Sequence, residues 1–337
     1  MTVPTIQTVG VMPVVVQKYG GSSVADPGRL QAVADRVRDT RASGNDLVVV
    51  VSAMGETTDQ LVGLAAQISS NPHPREMDML LTAGERITMA LLAMALNDRG
   101  VPAVSYTGSQ AGILTDSAHG GARITRITGE RVTASLAEGK VVIVAGFQGV
   151  DPERREVTTL GRGGSDTTAV ALAATLDAAS CEILTDVDGV FTADPRVVPE
   201  AHKLEAIGYE DMLELARAGA GVLMPHSVEH ARDHGVLVHV RSSFHSEPGT
   251  VVGGDSVEQK LAGMAHANLG DVGVITLVGV NAVGSAPRAV EVMAEAGIDA
   301  VVGDSGDRTA RLQVPAADLD VAVRLVHDRL LGMEATL

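Results

Sequence analysis

Four short β-branched runs constrain the fold most: VVV (14–16), LVVVV (47–51), VVIVA (141–145) and EILTD (182–186). Runs this apolar, with no polar residue at every second position, suit strands covered on both faces, and sheets of that kind are mainly parallel. Each run ends in a loop of Gly, Ser, Thr or Asp, and helical spacing follows. After the first run, Asp26 can cap a helix and Pro27 suits its first position, with Leu30, Val33, Ala34 and Val37 at helical intervals. Asp59 opens a second such pattern through Leu61, Leu64, Ala65 and Ile68, and one long helix is expected over 78–97. The alternation predicts an α/β fold, a mainly parallel sheet sandwiched by helices, with ligands bound beyond the carboxyl ends of the strands.

A chain of 337 residues is long for a single core. The stretch FHSEPGTVVGGDSVEQK (244–260), rich in Gly, Ser and charge, marks a boundary between a domain at 12–252 and another at 258–337. Beyond it the rhythm changes. Strands near 261–268, 274–280, 298–303 and 311–314, with helices near 287–296 and 317–331, predict a small α+β module.

The formal charge of −16 argues against nucleic acid or an anionic membrane as partner, so an anionic ligand needs a local cationic site. Aromatic residues are only 2%, with no Trp, which argues against binding single strands by base stacking. The single cysteine, Cys181, excludes an internal disulfide and a Cys-based zinc cluster, and fits a reducing cytoplasm. No apolar run is read as long enough to span a membrane. The first lysine, Lys18, follows the apolar stretch, so a signal peptide is not expected. Met12 directly precedes the first strand. Residues 1–11 therefore read as a loose extension, or Met12 as the start.

Three segments carry chemistry. Lys18-Tyr19-Gly20-Gly21-Ser22-Ser23 places a lysine at a strand end, before two glycines and a helix. Glycines let backbone N–H groups face an anion and the helix N-terminus adds partial positive charge; the alternative is a turn with a snorkelling lysine. The lysine precedes the glycines, unlike a Walker A loop, and no G-x-G-x-x-G is present there. GRGGSD (161–166) offers a second glycine nest, in which Ser165 or Asp166 can cap a helix. A simple cap has no use for Arg162, whose planar fork suits a carboxylate. TDVDGVFTADPR (185–196) follows a strand and lacks the glutamate of a calcium loop, so nucleotide contact fits better. In TAGERI (82–87), Glu85 beside Arg86 reads by itself as a solvated pair. His226, His230 and His234 share helical spacing, compatible with zinc or, more simply, a solvated face.

Taken in order, KYGGSSV, VVVSAMGETTD, REMDMLLTAGERI, TGSQAG, VAGFQGV, TTLGRGGSDTTA, TDVDGVFTADPR and VRSSF, spread over 14–252, resemble the aspartokinases of the amino-acid kinase superfamily. The resemblance implies transfer of the γ-phosphoryl group of ATP, carried with Mg2+, to the side-chain carboxylate of L-aspartate. It implies catalytic roles for Lys18, Arg162 and Asp166. It places Ser52, Thr57, Thr58, Glu85, Phe147, Arg162, Gly163, Gly164 and Ser165 on the substrate side, Glu85 meeting the ammonium and Arg162 the α-carboxylate. Lys18, Tyr19, Gly20, Gly21 and Ser22 would hold phosphate. Thr185, Asp186, Phe191, Thr192, Ala193, Asp194, Pro195 and Arg196 would complete the nucleotide side. No metal-ligating residue set is implied.

Some positions depart from the family pattern. Where Gly-Ala-Lys-Val-Leu offers a lysine to the nucleotide, this chain has Gly219-Ala220-Gly221-Val222-Leu223, with Arg196 as a candidate replacement. Leu184 and Phe191 stand where tyrosine is frequent. The C-terminal module resembles an ACT domain. Family members usually carry two, the first inserted into the second, whereas here KLAGMAHANL (260–269) runs almost directly into GVITLVGV (273–280). One ACT-like domain is therefore expected, pairing two copies of the chain, with the enzyme insensitive to lysine and threonine. A kinase of an aspartate analogue, or an inactive amino-acid sensor, are the alternative readings.

Overall fold

The computed structural model describes residues 12–254 and 261–332. The expected extension at 1–11 and residues 255–260 of the expected boundary lie outside the described residues. The main sheet has eight strands, in the order Ala206–Ile207, Thr250–Val252, Val238–Ser242, Ser180–Thr185, Val14–Tyr19, Asp46–Val51, Val141–Ala145 and Ala103–Tyr106. Every neighbouring pair is parallel except Val238–Ser242 with Thr250–Val252. The sheet divides the β-branched runs residue by residue. Val16, Val48, Val50, Val142, Val144 and Ile183 enter the core beneath the helices Gly164–Thr175, Tyr209–Arg217 and Pro225–His234. Val15, Leu47, Val49, Val51, Val141, Ile143 and Leu184 face Pro27–Ala42 and Ala83–Asp98. Burial on both faces is why these runs lack alternation.

Just past the strand ends the ladder continues into the loops. Gly20 N donates to Leu184 O (3.1 Å), Ser52 N to Tyr19 O (3.1 Å) and Gly146 N to Val51 O (3.0 Å). Loops distant in sequence are thereby gathered at one edge.

The expected helix at 78–97 is two helices, Pro74–Leu81 and Ala83–Asp98, broken at Thr82. Thr82 Oγ1 donates to Met79 O (3.1 Å), and the Thr82 carbonyl accepts from Gln148 Nε2 (3.3 Å), which draws it out of the helical ladder. Among the described residues Pro74–Asp98, 25 residues, is the one stretch long and apolar enough to cross a membrane, and half of it is buried inside the fold, as in a core helix. A second sheet, ordered Ile124–Ile127, Ile113–Thr115, Gln148–Asp151, Glu156–Thr159, was not foreseen, because strands of three or four residues carry too little pattern to read.

The C-terminal module is a four-stranded antiparallel sheet, Gly263–Leu269, Val272–Val278, Thr309–Pro315, Val301–Ser305, packed with the helices Ala282–Glu295 and Leu319–Leu330. This arrangement is consistent with an ACT-like fold. The first helix begins five residues before the expected start, and Pro287 lies inside it. Burial of Ala282 and Ala286 in the module core draws the helix start ahead of the proline. The module grips the loop that follows Ser180–Thr185. Met264 N donates to Thr192 O (2.8 Å), Arg324 Nε to Val197 O (2.7 Å), and Ala193 and Val198 join the module's core. Arg308 and the buried Asp211 add an ion pair at 2.8 Å.

Candidate active site

The first two strands of the chain, Val14–Tyr19 and Asp46–Val51, are neighbours, so the glycine turn after Lys18 meets the loop after Val51. Gly55 N donates to Gly21 O (3.1 Å), and a Cβ at Gly21 would lie 3.1 Å from Ala53 O. That proximity leaves little room for a larger residue. The second nest is equally constrained. Gly163 has φ +70°, and a Cβ there would fall 2.1 Å from Met224 Cγ. Gly163 caps the helix Gly164–Thr175, whose N-terminus is directed at the same place as Lys18. The nests converge on one ion pair, Lys18 Nζ to Asp166 Oδ1 at 2.6 Å.

Above this pair opens a cavity of about 780 Å³. Lys18, Gly21, Ser52, Thr58, Glu85, Phe147, Arg162, Gly163, Gly164 and Ser165, all expected site residues, line it. Thr57 does not; its hydroxyl donates to Met54 O (2.6 Å). Arg162 is exposed on the turn between Gly161 and Gly163, both at positive φ.

Glu85 departs from a solvated helix pair. It is 3% exposed, Oε1 accepts from Ala53 N (3.1 Å), and Oε2 is buried with no hydrogen-bond partner. Burial pushes its carboxyl up to about 7, against the pull of the backbone N–H groups.

Of the residues expected on the nucleotide side, Thr185 ends the strand beside Gly20 and Asp186 follows it, with Thr185 Oγ1 donating to Asp186 Oδ1 (3.1 Å). Ser22 lies in the helical turn Gly21–Val24, its carbonyl accepting from Arg29. Phe191 is half-buried and Pro195 exposed. Three expected residues turn elsewhere. The Tyr19 ring is fully buried in the core, its hydroxyl donating to Gln17 Oε1 (3.2 Å). Thr192 Oγ1 accepts from His202 N (3.0 Å) and bonds His327 Nε2 (2.9 Å), and Ala193 is packed under the C-terminal module. For these three the strand alternation and the seam with the module take the side chain, leaving only backbone for a ligand. His226 Nε2 lies 3.1 Å from Arg162 O, and the His230 and His234 rings stack at 4.2 Å. Among the described residues no three His, Cys, Asp or Glu side chains are grouped to hold a metal.

The sequence did not reveal a network that reaches the cavity wall through Asp78, His119 and Thr159 and continues behind it to Glu156 and Arg75. Its members come from three segments far apart in the chain, and no spacing links one segment to another. Asp78 stood in the REMDMLL stretch and passed as a helix residue.

The Amino acid kinase family profile matches residues 13–242. Aspartokinase of Mycolicibacterium smegmatis is 55% identical over 295 residues, spanning 86% of this chain and 69% of that protein. The chain belongs to the aspartokinases. Aspartokinase of Corynebacterium glutamicum is 60% identical over 243 residues, 72% of this chain and 58% of the relative. The structure of aspartate kinase from Synechocystis superposes with a TM-score of 0.65 at 43% identity, covering 94% of this chain and 55% of the other. The fold is also that of E. coli aspartokinase III, solved in complex with aspartate and ADP, with a TM-score of 0.81 at 22% identity, covering 94% of this chain and 99% of that one. This aspartokinase thus spans only part of the length of several relatives. In it Arg196 is held by Asp194 (Nε to Oδ1 3.0 Å, NH2 to Oδ2 2.7 Å), with its side chain 88% exposed. As a substitute for the cation missing at Gly221, Arg196 would first have to leave Asp194.

Proposed function

We propose that the chain transfers the γ-phosphoryl group of ATP to the side-chain carboxylate of L-aspartate, giving 4-phospho-L-aspartate. The observation that carries this reading is Glu85 Oε2, a buried carboxylate oxygen without a partner inside a cavity that also holds Lys18 and Arg162. An α-amino acid fits this set, its ammonium on Glu85 and its α-carboxylate on Arg162. The acceptor carboxylate is ionised at neutral pH and needs no general base. Lys18, oriented by Asp166, and the N-terminal N–H groups of Gly164–Thr175 would offset the charge of two anions pressed together. Mg2+ would arrive with ATP and neutralise phosphate charge. The residues suit a phosphate-borne ion, since Asp166 is engaged by Lys18 and the exposed Asp186 is the carboxylate at the neighbouring strand end.

Trapping with hydroxylamine in the presence of ATP, Mg2+ and aspartate is expected to yield a coloured hydroxamate; none would count against the reading. Arg162→Ala is expected to raise the aspartate KM by roughly ten- to a hundredfold, the worth of a charge-assisted hydrogen-bonded pair, with little change in the ATP KM. Equal effects on both substrates would place Arg162 elsewhere.

The enzyme is further proposed to escape feedback by lysine and threonine, because among the described residues the strand Gly263–Leu269 of the ACT-like sheet runs directly into Val272–Val278 with no inserted module, and to pair two copies through that sheet. Strong inhibition by either amino acid at millimolar concentration would refute the first point; a monomer by sedimentation would refute the second.

A further inference from the structure

His119 lies in the cavity wall with both ring nitrogens directed at carboxylates. Nδ1 is 2.6 Å from Asp78 Oδ2 and Nε2 is 3.3 Å from Glu156 Oε2. Both partners are carboxylates, so each ring nitrogen faces an acceptor, and the shorter contact is the one to Asp78. Asp78, on the helix Pro74–Leu81, is 1% exposed. Besides His119 it accepts from Thr159 Oγ1 (2.5 Å) and Gly120 N (3.1 Å). The charged groups facing His119 are thus Asp78 from that helix and Glu156 from the strand Glu156–Thr159, the latter also held by Arg75 Nε at 2.9 Å.

The network abuts the turn that bears Arg162. Ala122 N donates to Thr159 O (2.8 Å), and a Cβ on Gly161 would lie 3.3 Å from Gly120 O. The loop around His119 and Gly120 is therefore pinned to Asp78 on one side and backs the Gly161–Arg162 turn on the other. Asp78, His119, Gly120, Thr159 and Gly161 all line the cavity. Without His119, Asp78 would lose a hydrogen-bond partner and leave a desolvated carboxylate facing a site that must admit a carboxylate.

We propose that His119 is a positioning residue for the amino-acid substrate: it holds Asp78 by a hydrogen bond and fixes the loop that sets the Arg162 turn against the α-carboxylate. This rests on the aspartate kinase reading above and deepens it.

The test measures both KM values and kcat for His119→Gln, Asp78→Asn and the double variant. His119→Gln is expected to raise the aspartate KM roughly ten- to a hundredfold, the range for losing a charge-assisted hydrogen bond, with the ATP KM within about twofold of wild type. Adding Asp78→Asn to His119→Gln removes the uncompensated charge and is expected to recover part of the lost aspartate affinity. A merely structural role predicts the opposite, a double variant as poor as or worse than the single one. If His119→Gln does not fold, the folded double variant binding aspartate worse than Asp78→Asn by more than tenfold would overturn the role through Asp78. An unchanged aspartate KM in a folded His119→Gln, or equal losses for both substrates, would overturn the proposal while leaving the kinase reading intact. A wild-type chain that forms no hydroxamate would overturn both.

Discussion

Lys18→Ala is expected to lower turnover by about 10² to 10³, the usual loss when a preorganised group that stabilises transition-state charge is removed. It is also expected to destabilise the fold, because Asp166 is a buried partner. With both side chains only 11% exposed, removing Lys18 leaves an uncompensated carboxylate at a cost of roughly 3–5 kcal/mol. The two effects can be separated. Lys18→Ala combined with Asp166→Asn is expected to regain most of the thermal stability and none of the turnover. A single variant keeping a tenth or more of wild-type turnover would remove Lys18 from the mechanism. A double variant as unstable as the single one would show that the ion pair is not the source of the loss.

Glu85 gives the second large effect, and its sign reverses between stability and binding. Its carboxyl stands at about 7 in the folded chain, against 4.5 for the unperturbed group, because burial disfavours the charge. The native state therefore holds a proton that the unfolded chain has released. Its stability contribution is present in full below pH 4.5 and is lost as pH rises toward 7, a change on the order of 3 kcal/mol in the ligand-free protein. Substrate ammonium needs the ionised form. The aspartate KM is expected to be flat above about pH 8 and to rise about tenfold per pH unit below 7, with proton release on binding in that range. Glu85→Gln mimics the neutral acid. It is expected to melt higher than wild type at pH 8 while raising the aspartate KM by about a hundredfold or more. A Gln variant with unchanged aspartate KM would sink the role given to Glu85, and thermal shift against pH checks the linkage independently.

The central sheet was legible because burial on both faces leaves an unmistakable run, as in residues 141–145 and 47–51. The two glycine nests were legible for a related reason. Gly21 and Gly163 stand where another backbone or side chain comes too close for a larger residue, and that requirement is written into the residue type itself. What remained hidden depends on convergence. Asp78 and His119 are 41 residues apart, and Thr159 lies on a four-residue strand, so no periodicity announces that they meet. Thr192 and Ala193 looked like ligand-facing members of a loop motif. Their side chains are claimed by a module whose docking the sequence does not state. Glu85 lay between these cases. Spacing alone suggested a solvated pair, and only family likeness gave it a ligand, which the unpartnered oxygen supports physically.

The bond from Met264 to the Thr192 carbonyl joins the edge of one fold to the loop of the other, and Ala193 and Val198 leave the loop to complete a neighbour's interior. Cutting the chain ahead of residue 261 would strip the wall against which that loop leans. Residues 12–254 alone are for this reason expected to melt lower than the intact chain.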